Sequence, residues 1–430
     1  PYPASIVILL LLVIYMSLYI AGFSFCLALV RPRGMSLLLA PPLWTALELL
    51  RTHALSGFPW ASLGYSQYLN LPILQISELT GFWGISFLMV SASAALAHLL
   101  LQGGRAKGWV ALGVGGLLLV AHLWGWAQLR RYSSPPGEKG LRVSVLQGSV
   151  DQGLKWDEDF REETLRIYQE LTLSASRGEG GVRPELIVWP ETAAPFFFLR
   201  EEGLRDRVLR LAREGGTHIL LGAPSLDVRD GKPRLFNSAY LLGPDGRILS
   251  RYDKIHLVPY GEYVPLKRLM PFVKKLAWGA GDFSSGRQAT VMSIPGGRFG
   301  VLICFEVIFP ALVREFLMGG AEFLVNITND AWFGRSAASY QHMAMASFRA
   351  VEGRVPIVRA ANTGISGFID AAGRIHEATP LFIRTAIARE IFPRKGPLTL
   401  YVRWGDWFAY LCALVSGTLL AFLGHGRWRP

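Results

Sequence analysis

Gly300-Val301-Leu302-Ile303-Cys304-Phe305-Glu306 is an apolar, β-prone run that stops on one cysteine, with a carboxylate two residues on. A buried strand delivers a reactive side chain to the edge of a sheet in this way. A free cysteine is commonly just a small buried hydrophobe, and two other stretches argue against that reading here. Leu186-Ile187-Val188-Trp189-Pro190-Glu191-Thr192 is a second short apolar strand that ends on a carboxylate. The segment from Arg251 to Pro265 sets Lys254 in a loop dense in aromatics and prolines. A thiol attacks carbonyls as its thiolate, which a nearby cation favours. A carboxylate can take the thiol proton and pass it to a leaving group. An ammonium, with the backbone N–H after the nucleophile, can hold the tetrahedral oxyanion. Glu191, Lys254 and Cys304 supply these parts; His256 is the alternative base, or a loop hydrogen-bonder. No Gly-x-Ser-x-Gly elbow and no His-Glu-x-x-His motif competes, so neither a metal nor a cofactor is expected.

Around this centre the chain is too apolar for an ordinary soluble enzyme. Its 430 residues are 51% hydrophobic, with 13 Trp and a formal net charge of +12. Such a charge suits nucleic acid or an anionic membrane surface. No basic run is interleaved with a nucleic-acid-binding motif, so a membrane is the better partner. Three cysteines, two of them (Cys26 and Cys412) in apolar runs, make no disulfide framework.

Five apolar runs are candidate membrane helices: Ala4 to Val30, Met35 to Leu50, Gly84 to Leu101, Trp109 to Leu129 and Trp407 to Gly424. The second is marginal because it holds Pro41, Pro42 and Glu48. The first lacks the form of a signal peptide. Basic residues sit in three short segments: Arg31 with Arg33, Arg105 with Lys107, and Arg427 with Arg429. Placing all three in the cytoplasm alternates the five spans and puts the segment from about Arg130 to Arg403 outside. The same alternation puts Pro1 outside, and the chain has no initiator Met, so further upstream spans are expected.

The domain reading is therefore residues 1–130 as about four membrane helices and 131–140 as a linker around Ser133-Ser134-Pro135-Pro136-Gly137. Residues 141–400 form the catalytic domain, and 401–430 a last membrane helix with a cytoplasmic tail. Inside the catalytic domain short strands alternate with helices. Strands are expected at 141–146, 186–189, 218–221, 238–242, 300–304, 323–326, 357–359 and 367–370, and helices at 158–174, 204–214, 310–318 and 340–352. This is an α/β pattern with a largely buried sheet.

The ordered set Trp189-Pro190-Glu191-Thr192, Tyr252 to Pro259 and Ile303-Cys304-Phe305-Glu306 resembles the nitrilase, or carbon–nitrogen hydrolase, superfamily. Within it, the flanking membrane runs resemble the apolipoprotein N-acyltransferase family of bacterial inner-membrane enzymes. Further matches are Gln147-Gly148 with Leu154-Lys155-Trp156, Asn329 to Gly334, and Arg359 to Ser366. In the membrane part Trp44 to Arg51, Ser56 to Trp60 and Gly64 to Gln67 also fit. The resemblance covers nearly the whole chain. It implies a helical membrane bundle plus an αββα sandwich, with Glu191 as general base, Lys254 as oxyanion partner and Cys304 as nucleophile. It marks Glu262 as a supporting carboxylate, Phe305 and Glu306 as neighbours shaping the site, and Trp156 as lining the substrate cleft. Asn329, Asp330 and Trp332 read as structural. The family has eight spans where five are counted here, as though the first three were absent.

The implied reaction is two-stage acyl transfer. Cys304 takes an acyl chain from a membrane phospholipid as a thioester, and the N-terminal amine of a diacylglyceryl-cysteine on an apolipoprotein accepts it. The implied location is the inner membrane, multi-pass, with the catalytic domain on the periplasmic side. Pro195 to Phe198 and Val273 to Phe283 read as apolar loops that cover the site and meet lipid tails, with ordinary core as the alternative for Phe196 to Phe198. A membrane-tethered amidase or nitrilase is the alternative that uses the same three residues.

Overall fold

The computed structural model describes residues 2–30, 33–101, 106–132, 140–151, 158–178, 181–229, 231–263 and 282–425. Trp156, the linker prolines and residues 273–281 lie outside them. The chain divides into two compact units. One comprises Pro1–Ser133, Val351–Gly353 and Thr399–Pro430, the other Ser134–Ala350 and Arg354–Leu398.

In the first unit all five apolar runs are helical, as Tyr2–Leu29, Arg33–His53, Phe82–Leu101, Ala106–Arg131 and Trp407–His425. Among the described residues three segments are long and apolar enough to cross a membrane: Ile6–Leu29, Phe82–Leu101 and Gly108–Arg131. The apolar stretch Trp407–Phe422 is shorter. Along Tyr2–Leu29, Ile6, Leu9, Leu10, Val13, Ile14 and Leu18 all point outward. An all-round apolar helix of this kind suits a lipid solvent. The helix Arg33–His53 runs on through Pro41 and Pro42 and buries polar groups instead. Its Glu48 accepts the Leu63 N–H at 2.7 Å, and its Arg51 donates to Ser62 Oγ at 2.8 Å.

Among the described residues the second unit holds twelve strands: β1 (Leu141–Gln147), β2 (Leu186–Val188), β3 (His218–Arg229), β4 (Lys232–Leu242), β5 (Ile248–Asp253), β6 (Val291–Ile294), β7 (Gly297–Ile303), β8 (Phe323–Thr328), β9 (Ile357–Ala361), β10 (Gly367–Ile369), β11 (Ile375–His376) and β12 (Thr385–Ile391). They form two six-stranded sheets, ordered β12-β1-β2-β3-β4-β5 and β11-β10-β9-β8-β7-β6. Each has a parallel trio, β1-β2-β3 or β7-β8-β9, flanked by antiparallel strands. The trios are buried apolar runs, with β2, β8 and β9 buried at every position, as expected of strands covered on both faces.

β1 lies against β9 and β4 against β7, so the sheets meet face to face. The helices Glu158–Arg177 and Glu202–Gly215 cover the first sheet through Leu165, Tyr168, Val208 and Leu211. The helix Pro310–Met318 closes on β7, where Gly300 makes room for it. A Cβ on Gly300 would stand 2.6 Å from the Phe316 ring. This is the αββα sandwich the motifs imply.

One expectation is corrected. Phe196 and Phe198 are buried in the core of the first sheet, with Phe198 tilted against Tyr240 at 4.7 Å. Burying a side chain of this size is worth roughly 2–3 kcal/mol, which ties the segment down. It is core and not a cover for the site.

Candidate active site

The reactive groups all stand where a strand releases the chain. Cys304 is the first residue after β7, Lys254 the first after β5, and Asn329 the first after β8. Glu191 follows β2 by three residues. Carboxyl ends of parallel strands are where open α/β sheets build their sites, and β2, β7 and β8 are such strands. Two of these turns are tight: Thr192 has φ 48° and Cys304 φ 54°. A non-glycine residue held there costs about 1–3 kcal/mol, which the surroundings must offset. Gly222 on the neighbouring β3 allows the first turn. A Cβ there would fall 2.6 Å from Thr192 N and 2.7 Å from Pro190 O, both backbone atoms that cannot swing aside.

Hydrogen bonds fix the Glu191 carboxylate at both oxygens. Asn237 Nδ2 donates to Oε1 at 2.7 Å and Asn329 N to Oε2 at 2.9 Å. Lys254, 1% exposed, places Nζ 3.6 Å from Glu191 Oε1 and 3.0 Å from Glu262 Oε1. Asn237 Nδ2 also donates to Glu262 Oε1 at 3.0 Å, and Val258 N donates to Glu262 Oε2 at 2.8 Å. Asn237 therefore locks two carboxylates on either side of one ammonium.

Glu306 ties the lysine loop to the cysteine turn. Its Oε1 accepts from Tyr252 Oη at 2.8 Å, Ile255 N at 2.7 Å and His256 N at 3.1 Å. Its Oε2 accepts from Ile303 N at 2.7 Å. Removing this carboxylate would leave the buried Ile303 N–H without it, at about 1–3 kcal/mol, and the half-buried N–H groups of Ile255 and His256 as well. His256 stacks on Phe309 at 4.3 Å, and Phe305 meets the same ring edge-on at 5.2 Å. His256 thus belongs to the loop scaffold.

The charges explain the protonation states. Burial pulls the Lys254 ammonium down, but the carboxylates of Glu262 and Glu191 outweigh burial and hold it above its ordinary value. Burial pushes the Cys304 thiol up to about 12, Glu191 adds to this, and Lys254 opposes it without prevailing. At neutral pH the sulfur is therefore a thiol, and Lys254 alone does not make it a thiolate. Burial pushes Glu306 up to about 7, against the backbone donors that favour its charged form.

The structure thus brings together Glu191, Lys254, Glu262, Cys304, Phe305 and Glu306; Trp156 lies outside the described residues. Sequence reasoning misses Asn237, whose only signal is an amide inside the apolar strand Leu235-Phe236-Asn237-Ser238-Ala239-Tyr240. Behind Cys304 it also misses Asn326 and His342, which donate to the Cys304 carbonyl, and behind them Arg359, read only as part of a motif, pairs with Asp330. Among the described residues no cluster of histidine, cysteine and carboxylate suits a metal ion.

Two family models match the chain. The carbon-nitrogen hydrolase family model matches residues 142–391, and the apolipoprotein N-acyltransferase N-terminal domain model matches residues 1–95. The apolipoprotein N-acyltransferase of Geobacter metallireducens is 44% identical over 430 residues, which is 98% of this chain and 81% of the relative. That of Haemophilus influenzae is 33% identical over 425 residues, 96% of this chain and 79% of the relative. Among solved structures, an amidase from a Nesterenkonia species superposes with a TM-score of 0.45 at 17% identity. It covers 65% of this chain and 99% of the amidase. The chain belongs to the apolipoprotein N-acyltransferase family, whose catalytic unit is of the carbon–nitrogen hydrolase type.

Proposed function

We propose that this chain transfers an acyl chain from a membrane phospholipid to the N-terminal amine of a diacylglyceryl-cysteine, through a thioester on Cys304. Glu191 takes the proton as Cys304 Sγ attacks the ester carbonyl. The oxyanion that forms is held by the Lys254 ammonium and the Phe305 N–H. Collapse breaks the carbon–oxygen bond, and Glu191 returns the proton to the departing lysophospholipid. In the second half the amine attacks the thioester and Glu191 takes its proton. The sulfur leaves and is reprotonated. Glu262 and Glu306 hold the lysine and the cysteine turn in place.

One observation carries this reading. A half-buried thiol shares its site with a carboxylate oriented at both oxygens and an ammonium held by two carboxylates, and its surroundings push it upward. Such a thiol needs a base at the moment of attack, and Glu191 is the oriented one. The protein is membrane-integral. We place the catalytic unit on the periplasmic side of the inner membrane, on the loop charges.

The test uses the purified protein in phospholipid vesicles with a synthetic diacylglyceryl-cysteinyl peptide. The peptide should gain one acyl chain on its amine while one lysophospholipid forms per transfer. Release of free fatty acid with the peptide unchanged would mean a hydrolase instead.

A further inference from the structure

We infer that His342 is a positioning residue for acyl transfer, setting the oxyanion donor by holding the Cys304–Phe305 peptide from its carbonyl side. The inference rests on the thioester reading above. Two side chains donate to the Cys304 carbonyl: His342 Nε2 at 3.2 Å and Asn326 Nδ2 at 3.4 Å. A carbonyl can only accept, so His342 Nε2 carries a proton whatever the charge of the ring. Arg359 meets the ring from the other side. Its Nη2 lies 3.0 Å from His342 Nδ1 and donates to Asp330 Oδ2 at 2.8 Å. A guanidinium has no acceptor and favours a lone pair on Nδ1, whereas Asp330 Oδ1, 3.2 Å from the same nitrogen, favours a proton there. Nε2, facing the carbonyl, carries a proton in either case. Arg359 Nη1 also donates to Asn326 Oδ1. That turns the amide so that Nδ2 faces the Leu302 carbonyl at 2.9 Å and the Cys304 carbonyl beyond it. One buried guanidinium therefore touches both side chains that donate to this carbonyl, and Asp330 holds the same ring nitrogen of His342. Asp330 balances its charge, with Oδ1 accepting from Thr328 Oγ1 at 2.8 Å.

These residues come from separate elements: Asn326 and Thr328 from β8, Arg359 from β9, and His342 from the helix Ala338–Gly353. All are at most 1% exposed. So many buried polar groups converging on one peptide need a reason, because a partly satisfied network is costlier than an apolar core. The peptide itself supplies the reason. The Cys304 carbonyl and the Phe305 N–H lie in one plane, so orienting one orients the other. Donors on the carbonyl also polarise the amide and strengthen its N–H as a donor. The same contacts restrain Cys304 at φ 54° from behind.

The test compares His342→Phe, which keeps a ring and leaves the Arg359–Asp330 pair, with His342→Gln, which keeps a donor. Full-length protein is acylated from phospholipid carrying a ¹³C-labelled ester carbonyl, and the thioester carbonyl stretch is read by isotope-edited infrared spectroscopy. The band comes only from acylated protein, so a partly unfolded fraction does not enter it. His342→Phe should slow thioester formation about tenfold at saturating phospholipid, the worth of one hydrogen bond. The apparent KM should change little, and the carbonyl band should move to higher frequency as the oxyanion donor weakens. His342→Gln should recover most of both. An unmoved band in His342→Phe, or a glutamine that fails to restore rate and band, would leave His342 a purely structural residue. Absence of a thioester on the unaltered protein would instead bring down the catalytic reading, and this inference with it.

Discussion

Cys304 rests as a thiol, so its chemistry depends on neighbours that act only when substrate arrives. Lys254 opposes the upward shift of the thiol and is the group proposed to meet the oxyanion. Lys254→Met should therefore slow acylation on the order of 10²-fold or more, as loss of an oxyanion donor does. Lys254→Arg should not recover the rate, since a planar fork cannot replace a point charge held 3.0 Å from Glu262 and 3.6 Å from Glu191. Stopped-time measurement of acyl-enzyme would check both, and near-normal acylation by the methionine variant would take Lys254 out of the mechanism. Glu191 and Cys304 are legible in the sequence because each follows an apolar run where a strand must stop, whereas Lys254 reads from its aromatic- and proline-dense loop and Glu262 and Glu306 from the family resemblance. Asn237, Asn326 and His342 are not legible. A buried amide or imidazole acts through the direction of its donors, and residue type says nothing about direction until the strands are placed.

At the scale of elements, the buried strands read clearly because both faces are apolar, whereas edge strands do not. β5, Ile-Leu-Ser-Arg-Tyr-Asp, is half exposed and carries two charges. β12 is only partly buried along most of its length, and its pairing with β1 joins residues some 240 apart, beyond any local signal. Phe196 and Phe198 read as a cover because three phenylalanines follow a proline. Tertiary packing against Tyr240 places them in the core instead. The membrane helices carry their own prediction, because the short loops between them are basic. A cysteine introduced at Gly231, in the turn between β3 and β4, should react with a membrane-impermeant thiol reagent in intact spheroplasts. One introduced at Gly103, in the loop between two apolar runs, should not. The reverse pattern would move the catalytic unit to the cytoplasm.

For the molecule as a whole, two units in one chain suit a reaction whose substrates are both anchored in a bilayer. Encounter becomes a search in two dimensions, and the thioester need only be kept from water between the two half-reactions. Splitting the transfer in two means that the first half can run alone when the acceptor is missing. The intact mass of the purified chain after incubation with phospholipid and no acceptor tests this directly. The account predicts a gain of one acyl chain that neutral hydroxylamine removes. The gain should be absent in Cys304→Ala, much slower in Glu191→Gln, and retained when Cys26 and Cys412 are both replaced. A chain whose mass stays unchanged with phospholipid, while it hydrolyses a simple amide, would contradict it.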